Sequence, residues 1–399
     1  MQGWFTFYRL RMANSGSPVG VPYWRLSGFY FLFFITVGIY LPYWSLYLKS
    51  IGFDAEAIGI LSAIVVITKI FSTYMWGWIV DHTGKRMRVI RVASLLSAIS
   101  FVGILFIQSF WGMVLFLSLF SVFWSASLPQ IEAATLTHLG ESNHTYTGIR
   151  VWGSIGFIFT VSLFGVIFEY INIGNVPVIL LVSMIVVWLM SLVIPDIPAG
   201  QHEQDSSSLK EILYRPHVIS FLVICFLMLV SHGPYYTFYS IYLEAHGYSS
   251  TFIGEMWALG VIAEVVMFMV MHSLVKYLGL RTLMLTSLLL AAIRWFFIGY
   301  FVKHLELLIF AQLLHAATFG IYHAVAIQYV HGFFKGKLQG RGQALYSSVS
   351  FGAGMAIGSL LSGYAWDRLG SLFCFNAAAV IALIALVIAW RGLPTINKA

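Results

Sequence analysis

Two charged residues in the middle of long apolar stretches are the part of this sequence best suited to chemistry. Lys69 lies within the apolar stretch 57–80 and Glu264 within 250–275, and each stretch is long enough to cross a membrane. An ionisable side chain at that depth costs at least about 2.5 kcal/mol, so such residues are usually paired and kept for function. We expect Lys69 either to neutralise an anionic substrate or to pair with an acid.

Glu264 is the candidate for handling protons. It has no charged neighbour one turn away on its own predicted helix, so its partner must come from another helix. Carboxyl groups in mid-membrane often serve as proton relays, which favours a coupling role over a static ion pair with Arg294 or Lys69. Arg294 keeps its proton under all ordinary conditions and would act as a fixed charge beside the carboxyl.

Two further charges fall on the fourth and fifth predicted spans. Glu132 and Arg150 are 18 residues apart, and both lie towards the loop that joins their spans. They can hold a substrate or form a gate, and a purely structural ion pair between helices is the alternative. We expect them to contact substrate.

His315 and His323 lie eight residues apart on the tenth predicted span. On a straight α-helix that spacing separates them by two turns and by about 80°. Histidine can titrate near neutral pH, or it can simply form a hydrogen bond between helices. We expect His315 to take part in proton coupling and His323 to contact substrate. No acid accompanies either residue at a metal-ligand spacing, so no metal site is expected.

Aromatic residues recur at positions i, i+4 and i+7 on the first span and again on the seventh, where they form one helix face. The two sets are Tyr40, Trp44 and Tyr47, and Tyr235, Tyr239 and Tyr242. Packing together with an interfacial aromatic belt explains this pattern as well as a binding wall does. As a binding wall, Tyr40, Trp44 and Tyr239 would suit a ring-bearing substrate. The intramembrane bases exceed the acids by one, which favours a monoanion.

These residues sit in a sequence that repeats itself after 195 positions. Shifting the first half by 195 places Lys69 on Glu264, and it superposes identical residues at ten further positions. The first-half members are Gly38, Tyr40, Ser45, Tyr47, Leu48, Gly52, Gly59, Ala63, Gly84 and Arg86. The sequence is therefore a duplicated one, and buried charges at equivalent points of both halves indicate a transport route between them.

The composition, 60% hydrophobic and 9% charged, excludes an ordinary soluble domain. Apolar runs of the length that spans a bilayer recur twelve times. They cover residues 24–48, 56–80, 89–108, 111–138, 148–170, 174–194, 217–243, 251–275, 282–302, 305–331, 342–364 and 371–390. The sequence thus predicts an all-α integral membrane protein of two pseudo-symmetric six-helix bundles. We place the bundles at 1–195 and 217–399, joined by a polar linker at 196–216.

Basic residues set the expected orientation. Most of the 22 fall in loops and ends on one side of the predicted spans, and only Lys49, Lys303 and Arg368 fall on the other. The positive-inside rule then places both termini in the cytoplasm, in a multi-pass protein of the inner (plasma) membrane. The net charge of +7 follows from this asymmetry, so it does not indicate nucleic-acid binding.

Residues 77–86, between spans two and three, read GWIVDHTGKR and resemble the cytoplasmic signature of the major facilitator superfamily, G-x-x-x-D-(R/K)-x-G-(R/K)-(R/K). His82 departs from the usual base. We interpret the matching residues as a gating motif, with a glycine for close helix approach, an acid that accepts from a neighbouring helix end and a glycine for a tight turn. They are Gly77, Asp81, Gly84, Lys85 and Arg86.

Segments along nearly the whole chain narrow the resemblance to the phenylpropionate-permease branch, which is related to lactose permease. They are 34–59, 148–154, 263–264, 293–295 and 314–320. The resemblance implies that the residues at the matching positions on helices eight, nine and ten, Glu264, Arg294 and His315, handle a coupling proton. It also implies that Glu132 and Arg150 hold substrate. The lactose-permease pattern has a second acid one turn beyond the helix-ten histidine, where this chain has Thr318.

We therefore expect a proton-coupled symporter that takes up a small organic solute, such as an aromatic carboxylate, by alternating access. The alternatives are uptake of a sugar or nucleoside, proton-driven drug efflux, and a membrane sensor without transport activity. No nucleophile–base constellation appears in the spans, so we do not expect an enzyme. We expect a monomer in membrane lipid whose partners are its small-molecule substrate and protons, with no cofactor and no nucleic acid.

Overall fold

The computed structural model describes residues 20–140, 145–197 and 210–395, and within these ranges it contains helices and no strand. Eleven helical segments there are long and apolar enough to cross a membrane. One of them, Ser250–Tyr300, has 51 residues, about 75 Å of helix against a hydrocarbon core of about 30 Å. Gly279 interrupts it with φ 75° and ψ 160°, so this segment crosses twice and the described residues make twelve crossings.

The first half contains six membrane helices. They are α1 (Tyr23–Ser50), α2 (Ala55–Thr83), α3 (Arg86–Val102, extended by a 3₁₀ turn at Gly103–Leu105), α4 (Phe110–Leu139), α5 (Tyr146–Tyr170) and α6 (Val176–Leu192). Within this half α1 packs on α5 and α6, and α3 packs on α4 and α6.

The second half repeats the arrangement. Its helices are α7 (Pro216–Ser231 and Gly233–Ala245), α8 (250–278), α9 (280–300), α10 (Leu305–Leu313 to Tyr322–Phe333), α11 (Gln339–Ser347 to Met355–Leu369) and α12 (Ser371–Gly392). All twelve predicted spans are confirmed, with ends shifted by a few residues. The boundaries of the two bundles stay a prediction, since residues 198–209 of the proposed linker lie outside the described part.

Three interruptions were not predicted from the sequence. α7 breaks at His232, α10 contains a π-helical turn at Ala316–Ile321, and α11 contains another at Ser348–Gly354. Single π turns inside α-helices occur often at functional sites. The turn in α10 begins directly after His315, a predicted proton-coupling residue.

The two halves meet through α2 with α11, α5 with α8 and α1 with α7. At the end opposite the 84–85 loop, which we call the closed end, acidic side chains join them by capping helices. Asp367 of α11 accepts the backbone N–H of Ala55 at the start of α2 (3.0 Å), and Glu169 of α5 accepts that of Thr251 at the start of α8 (2.9 Å). A carboxylate at a helix N-terminus is favoured by the helix dipole. The same device thus occurs twice, related by the repeat.

Two ion pairs add to the closed end. Lys49 Nζ lies 2.8 Å from a Glu244 carboxylate oxygen, and Arg368 lies 2.7 Å from Glu56. Gly59 lets α2 approach α11 closely, since a Cβ there would lie 2.7 Å from the carbonyl oxygen of Ser359. The halves are therefore held together at this end, with the predicted functional charges further along the spans.

Candidate functional site

Arg294 is the centre of a buried polar cluster in the second half. Its side chain is fully buried, and all its observed hydrogen bonds go to uncharged groups on α10. Nε donates to the carbonyl of Ala311 (3.1 Å), Nη2 to the amide oxygen of Gln312 (3.2 Å), and Nη1 to both His315 Nδ1 (3.1 Å) and the hydroxyl of Thr318 (3.2 Å). The guanidinium is thus anchored without a carboxylate.

Aromatic rings complete this environment. The guanidinium carbon of Arg294 lies 4.2 Å from the ring centre of Tyr235, within the range of a cation–π interaction. Tyr235 in turn accepts a hydrogen bond from Gln312 Nε2 (2.8 Å), which also donates to the carbonyl of Met256 (2.7 Å). We call Tyr235, Arg294, Gln312, His315 and Thr318 the arginine cluster.

The hydrogen bond from Arg294 determines the tautomer of His315. Arginine has only donors, so Nδ1 of His315 must accept, and the neutral ring carries its hydrogen on Nε2. That atom lies 3.8 Å from a carboxylate oxygen of Glu264. A proton on Nδ1 would face the donating N–H of Arg294, which keeps the imidazole neutral in this conformation. The partner of Glu264 is therefore His315, and not Arg294 or Lys69.

Small residues and the π turn make room for this contact. A Cβ on Gly260 would lie 2.7 Å from Gln312 Nε2, and one on Gly320 would lie 3.4 Å from Cγ of Glu264. Because of the π turn, His315 and His323 are not separated by about 80° around the helix as predicted. The rings of His315, Phe319 and His323 form one stacked column, with centroid distances of 5.4 and 6.0 Å.

The charges of the first half are arranged more openly. Glu132 and Arg150 lie 3.7 Å apart, with 36% and 32% of their side chains exposed. The guanidinium of Arg150 lies 4.5 Å from the ring centre of Phe34. Lys69 on α2 is also exposed, and its charge interacts with that of Glu132. We call Lys69, Glu132 and Arg150 the first-half cluster.

The two clusters face each other across the interface between the halves. The charge of Arg150 acts on both Glu264 and His323 in the second half. His323 also forms a hydrogen bond with the hydroxyl of Tyr346 (Nδ1 to Oη 3.1 Å). The first-half cluster therefore lies within charge–charge range of Glu264 and His323, and Arg294 is buried behind His315.

The aromatic stripes lie mainly in packed surroundings in this conformation. Trp44 and Tyr239, which are equivalent in the repeat, are 2% and 0% exposed, and Tyr40 is half-buried and stacks on Trp44 at 5.7 Å. The indole nitrogen of Trp44 and the hydroxyl of Tyr239 have no hydrogen-bond partner among the described residues. Two buried polar groups at matching positions therefore lack partners in this state.

The gating motif is only partly as expected. Gly84 ends α2 with φ 65°, which confirms the predicted tight turn, and Asp81 is exposed and interacts by charge with Arg86. Arg86 itself is buried and donates to the Thr137 hydroxyl on α4 (3.1 Å). The predicted close helix approach at Gly77 is wrong for this conformation, because a Cβ built there would meet no atom of the described residues within 4 Å.

Comparisons with known proteins agree with this architecture. A sequence model of the MFS_1 like family matches residues 23–377. The chain belongs to this family. The "Probable 3-phenylpropionic acid transporter" of Escherichia coli (strain K12) is 30% identical to this chain over 382 residues, which cover 93% of this chain and 98% of the relative. The chain is therefore a transporter with the major facilitator fold.

Two other proteins, one similar in sequence and one in structure, are also transporters. The maltose permease of Geobacillus stearothermophilus is 25% identical over 373 residues, covering 91% of this chain and 93% of the permease. A crystal structure of a mutant of the nucleoside transporter NupG superposes with a TM-score of 0.84 at 16% identity, covering 93% of this MFS_1-like chain and all of NupG. These proteins are transporters and not enzymes, as the sequence predicted.

Sequence reasoning missed Gln312 and the contact that Thr318 makes in the arginine cluster. Gln312 lies one turn before His315, and a buried amide at that depth requires partners as a charge does, so its position was a usable signal. Thr318 was noted only for the acid it replaces, and the structure gives it a role as an acceptor for Arg294. Among the described residues, no group of three His, Cys, Asp or Glu side chains lies close enough together to hold a metal.

Proposed function

We propose that this MFS_1-like transporter couples the uptake of a small aromatic carboxylate to that of a proton. The observation that carries the proposal is the contact between Glu264 and a histidine held neutral by Arg294. Arg294 keeps its charge and His315 is engaged on both sides, so Glu264 is the member of this group free to change charge. Gaining or losing its proton changes its interaction with the Nε2–H of His315 and couples protonation to the position of α10.

Three features of the central region support a carboxylate substrate. Lys69 and Arg150 together exceed the single acid of the first-half cluster, which leaves one cation for an anionic group. Arginine binds carboxylates through two parallel hydrogen bonds, and Arg150 is already oriented on the face of Phe34. The name of the Escherichia coli relative specifies an aromatic acid of this kind.

Uptake of a sugar or nucleoside is the second candidate. It is supported by the names of the more distant relatives, a maltose permease and, at 25% identity, a putative nucleoside transporter of Escherichia coli (strain K12). An uncharged solute of either class has no use for the excess cation. This alternative therefore predicts that removing Arg150 changes affinity no more than removing any other cavity contact.

We also propose that both termini lie in the cytoplasm and that the protein resides in the inner membrane. The distribution of lysine and arginine supports this orientation. The closed end then faces outwards, and the structure represents a conformation closed to the outside. Reporter fusions at residues 205 and 399 should both report cytoplasm, and an outside signal from either would contradict the proposal.

The decisive experiment compares uphill uptake with substrate exchange in the same proteoliposomes. A glutamine at position 264 keeps the shape and some hydrogen bonding but cannot release a proton. Glu264→Gln should therefore abolish accumulation driven by a proton gradient while exchange of labelled 3-phenylpropionate continues, since exchange requires no return of the unloaded carrier.

Glu255, an exposed acid on the same helix, provides the matched control. Glu255→Gln should preserve both activities. If Glu264→Gln still concentrates substrate with the normal dependence on the proton gradient, the coupling site lies elsewhere. If exchange is seen only with nucleosides or sugars, the second candidate is correct.

A further inference from the structure

A groove on the outside of the first half lies apart from the arginine cluster and the first-half cluster, and it shares Lys85 with the gating motif. It has a volume of about 400 Å³ and lies between the end of α2 and the start of α3. Its lining residues are Trp76, Ile79, Thr83, Lys85, Arg88, Val89 and Val92. Since α3 packs on α4 and α6 and not on the second half, the groove faces the surrounding membrane.

The groove has an apolar part and a basic part. Trp76, Ile79, Val89 and Val92 line the portion within the spans, and Val92 is 44% exposed. Lys85 and Arg88 lie where α2 ends and α3 begins, and both are exposed. An apolar channel that leads to two cations at the membrane boundary matches an acyl chain attached to an anionic headgroup.

Neighbouring basic residues show that these two cations are unusual. Arg86 is buried against Thr137, and Arg91 forms an ion pair with Asp196 at 3.0 Å. In the part of the chain that the structure describes, the side chains of Lys85 and Arg88 make neither a hydrogen bond nor an ion pair. Of these four bases, Arg86 and Arg91 therefore contact other parts of the first half, whereas Lys85 and Arg88 line the groove.

Their position makes an anion favourable. Lys85 precedes the first turn of α3, and no side chain caps the N–H groups of that turn. A helix N-terminus carries a partial positive charge that disfavours cations and attracts anions. Two unpaired bases at this place add their charge to that of the helix end, and a phosphate group would compensate all three.

The internal repeat offers a comparison within the same molecule. The positions equivalent to Lys85 and Arg88 are Leu280 and Leu283, whereas Arg86 has an equivalent base in Arg281. Arg281 is used by the fold, since it donates to the carbonyl of Trp390. Arg91, whose equivalent is Thr286, also lacks a basic counterpart, but it is paired with Asp196. Lys85 and Arg88 are thus the two bases that have neither a counterpart in the second half nor a partner in the first.

We propose that this groove binds one anionic phospholipid, with its phosphate at Lys85, Arg88 and the N-terminus of α3, and with an acyl chain along Trp76, Ile79 and Val92. The ligand comes from the leaflet on the side of the 84–85 loop. A free phosphate ion would use only the basic part of the groove and would leave the apolar part empty.

The test measures lipid retained by the full-length protein purified in mild detergent. Native mass spectrometry would count bound phosphatidylglycerol and phosphatidylcholine during titration with each lipid. Each base near an anionic lipid surface contributes about 1 kcal/mol, so Lys85→Gln with Arg88→Gln should weaken phosphatidylglycerol binding about 30-fold, and Arg88→Gln alone about 5-fold. Lys276→Gln, at an exposed base near the end of α8 in the second half, is the control and should bind as the unchanged protein does.

Three results would overturn the proposal. The unchanged protein could retain phosphatidylcholine as well as phosphatidylglycerol, which would make the groove an ordinary lipid contact. Lys276→Gln could weaken binding as much as the double variant, which would indicate a general charge effect. Millimolar inorganic phosphate could displace the signal fully, which would indicate an ion site and not a lipid site.

Discussion

The arginine cluster of the second half and the first-half cluster differ in the burial and the partners of their arginines. Arg294 is fully buried, and its four hydrogen bonds all end on neutral groups of α10. Arg150 is 32% exposed and has one acid at 3.7 Å with a phenyl ring beneath it. One arginine is part of the packed interior, and the other is free to accept a new partner.

This difference assigns different tasks to residues that look alike in the sequence. A guanidinium whose hydrogen bonds all go to neutral groups keeps the same partners whether a nearby carboxyl is charged or not. Arg294 would therefore remain a constant positive charge near Glu264. A half-buried guanidinium with a single long ion pair loses little when it exchanges that acid for a substrate carboxylate. In the proposed function, the second half would handle the proton and the first would bind the substrate.

The largest expected effect tests the structural role of Arg294. Arg294→Leu leaves His315 Nδ1, the Gln312 amide oxygen and a backbone carbonyl buried without their donor, and each costs about 1–3 kcal/mol. We expect the free energy of unfolding in detergent to fall by at least about 3 kcal/mol. Arg294→Lys should restore only part of this lost stability, since lysine lacks the planar arrangement of donors. A loss below about 1 kcal/mol for Arg294→Leu would remove the contrast between the clusters.

The next effect concerns affinity and not stability. Arg150→Gln should weaken binding of 3-phenylpropionate at least about tenfold, because a hydrogen bond to a charged group contributes about 1.5–3 kcal/mol. Binding of the corresponding alcohol should change less than about threefold. Stability should change by less than about 1 kcal/mol, as for other exposed ion pairs. Arg391→Gln, at an exposed base far from the centre, is the control, and isothermal titration of both ligands is the measurement.

The smallest effect separates a neutral His315 from a proton carrier. His315→Asn retains an acceptor for Arg294 but cannot hold a positive charge. We expect it to fold normally and to keep proton-driven accumulation at a reduced rate. His315→Leu, which removes the acceptor, should be less stable by about 1–2 kcal/mol. Complete loss of accumulation in a well-folded His315→Asn protein would show that the histidine itself carries the proton.

The sequence predicted the fold well because membrane spans depend on local composition. All twelve spans were located, since the length of an apolar run and the repeat of 195 positions do not depend on how helices pack. The sequence also identified Glu264, Arg294, His315 and the three charges of the first-half cluster. What it could not supply was the pairing, because Glu264 and its partner lie on different helices.

Two details of the site depended on backbone geometry that residue spacing does not reveal. A straight helix separates His315 from His323 by about 80°, and the π turn at Ala316–Ile321 brings them into one stacked column. Gln312 carries no charge, so a search for charged residues passed over it although its amide joins Tyr235, Met256 and Arg294.

The ion pair between Lys49 and Glu244 joins equivalent positions of the two halves. The positions are one repeat of 195 residues apart, so in a symmetric dimer of identical single halves the same side chain would occupy both. Two lysines or two glutamates would then face each other and repel. An attractive pair at this contact therefore requires two halves that differ in sequence. It therefore distinguishes one half from the other at a contact that no self-associating half could form.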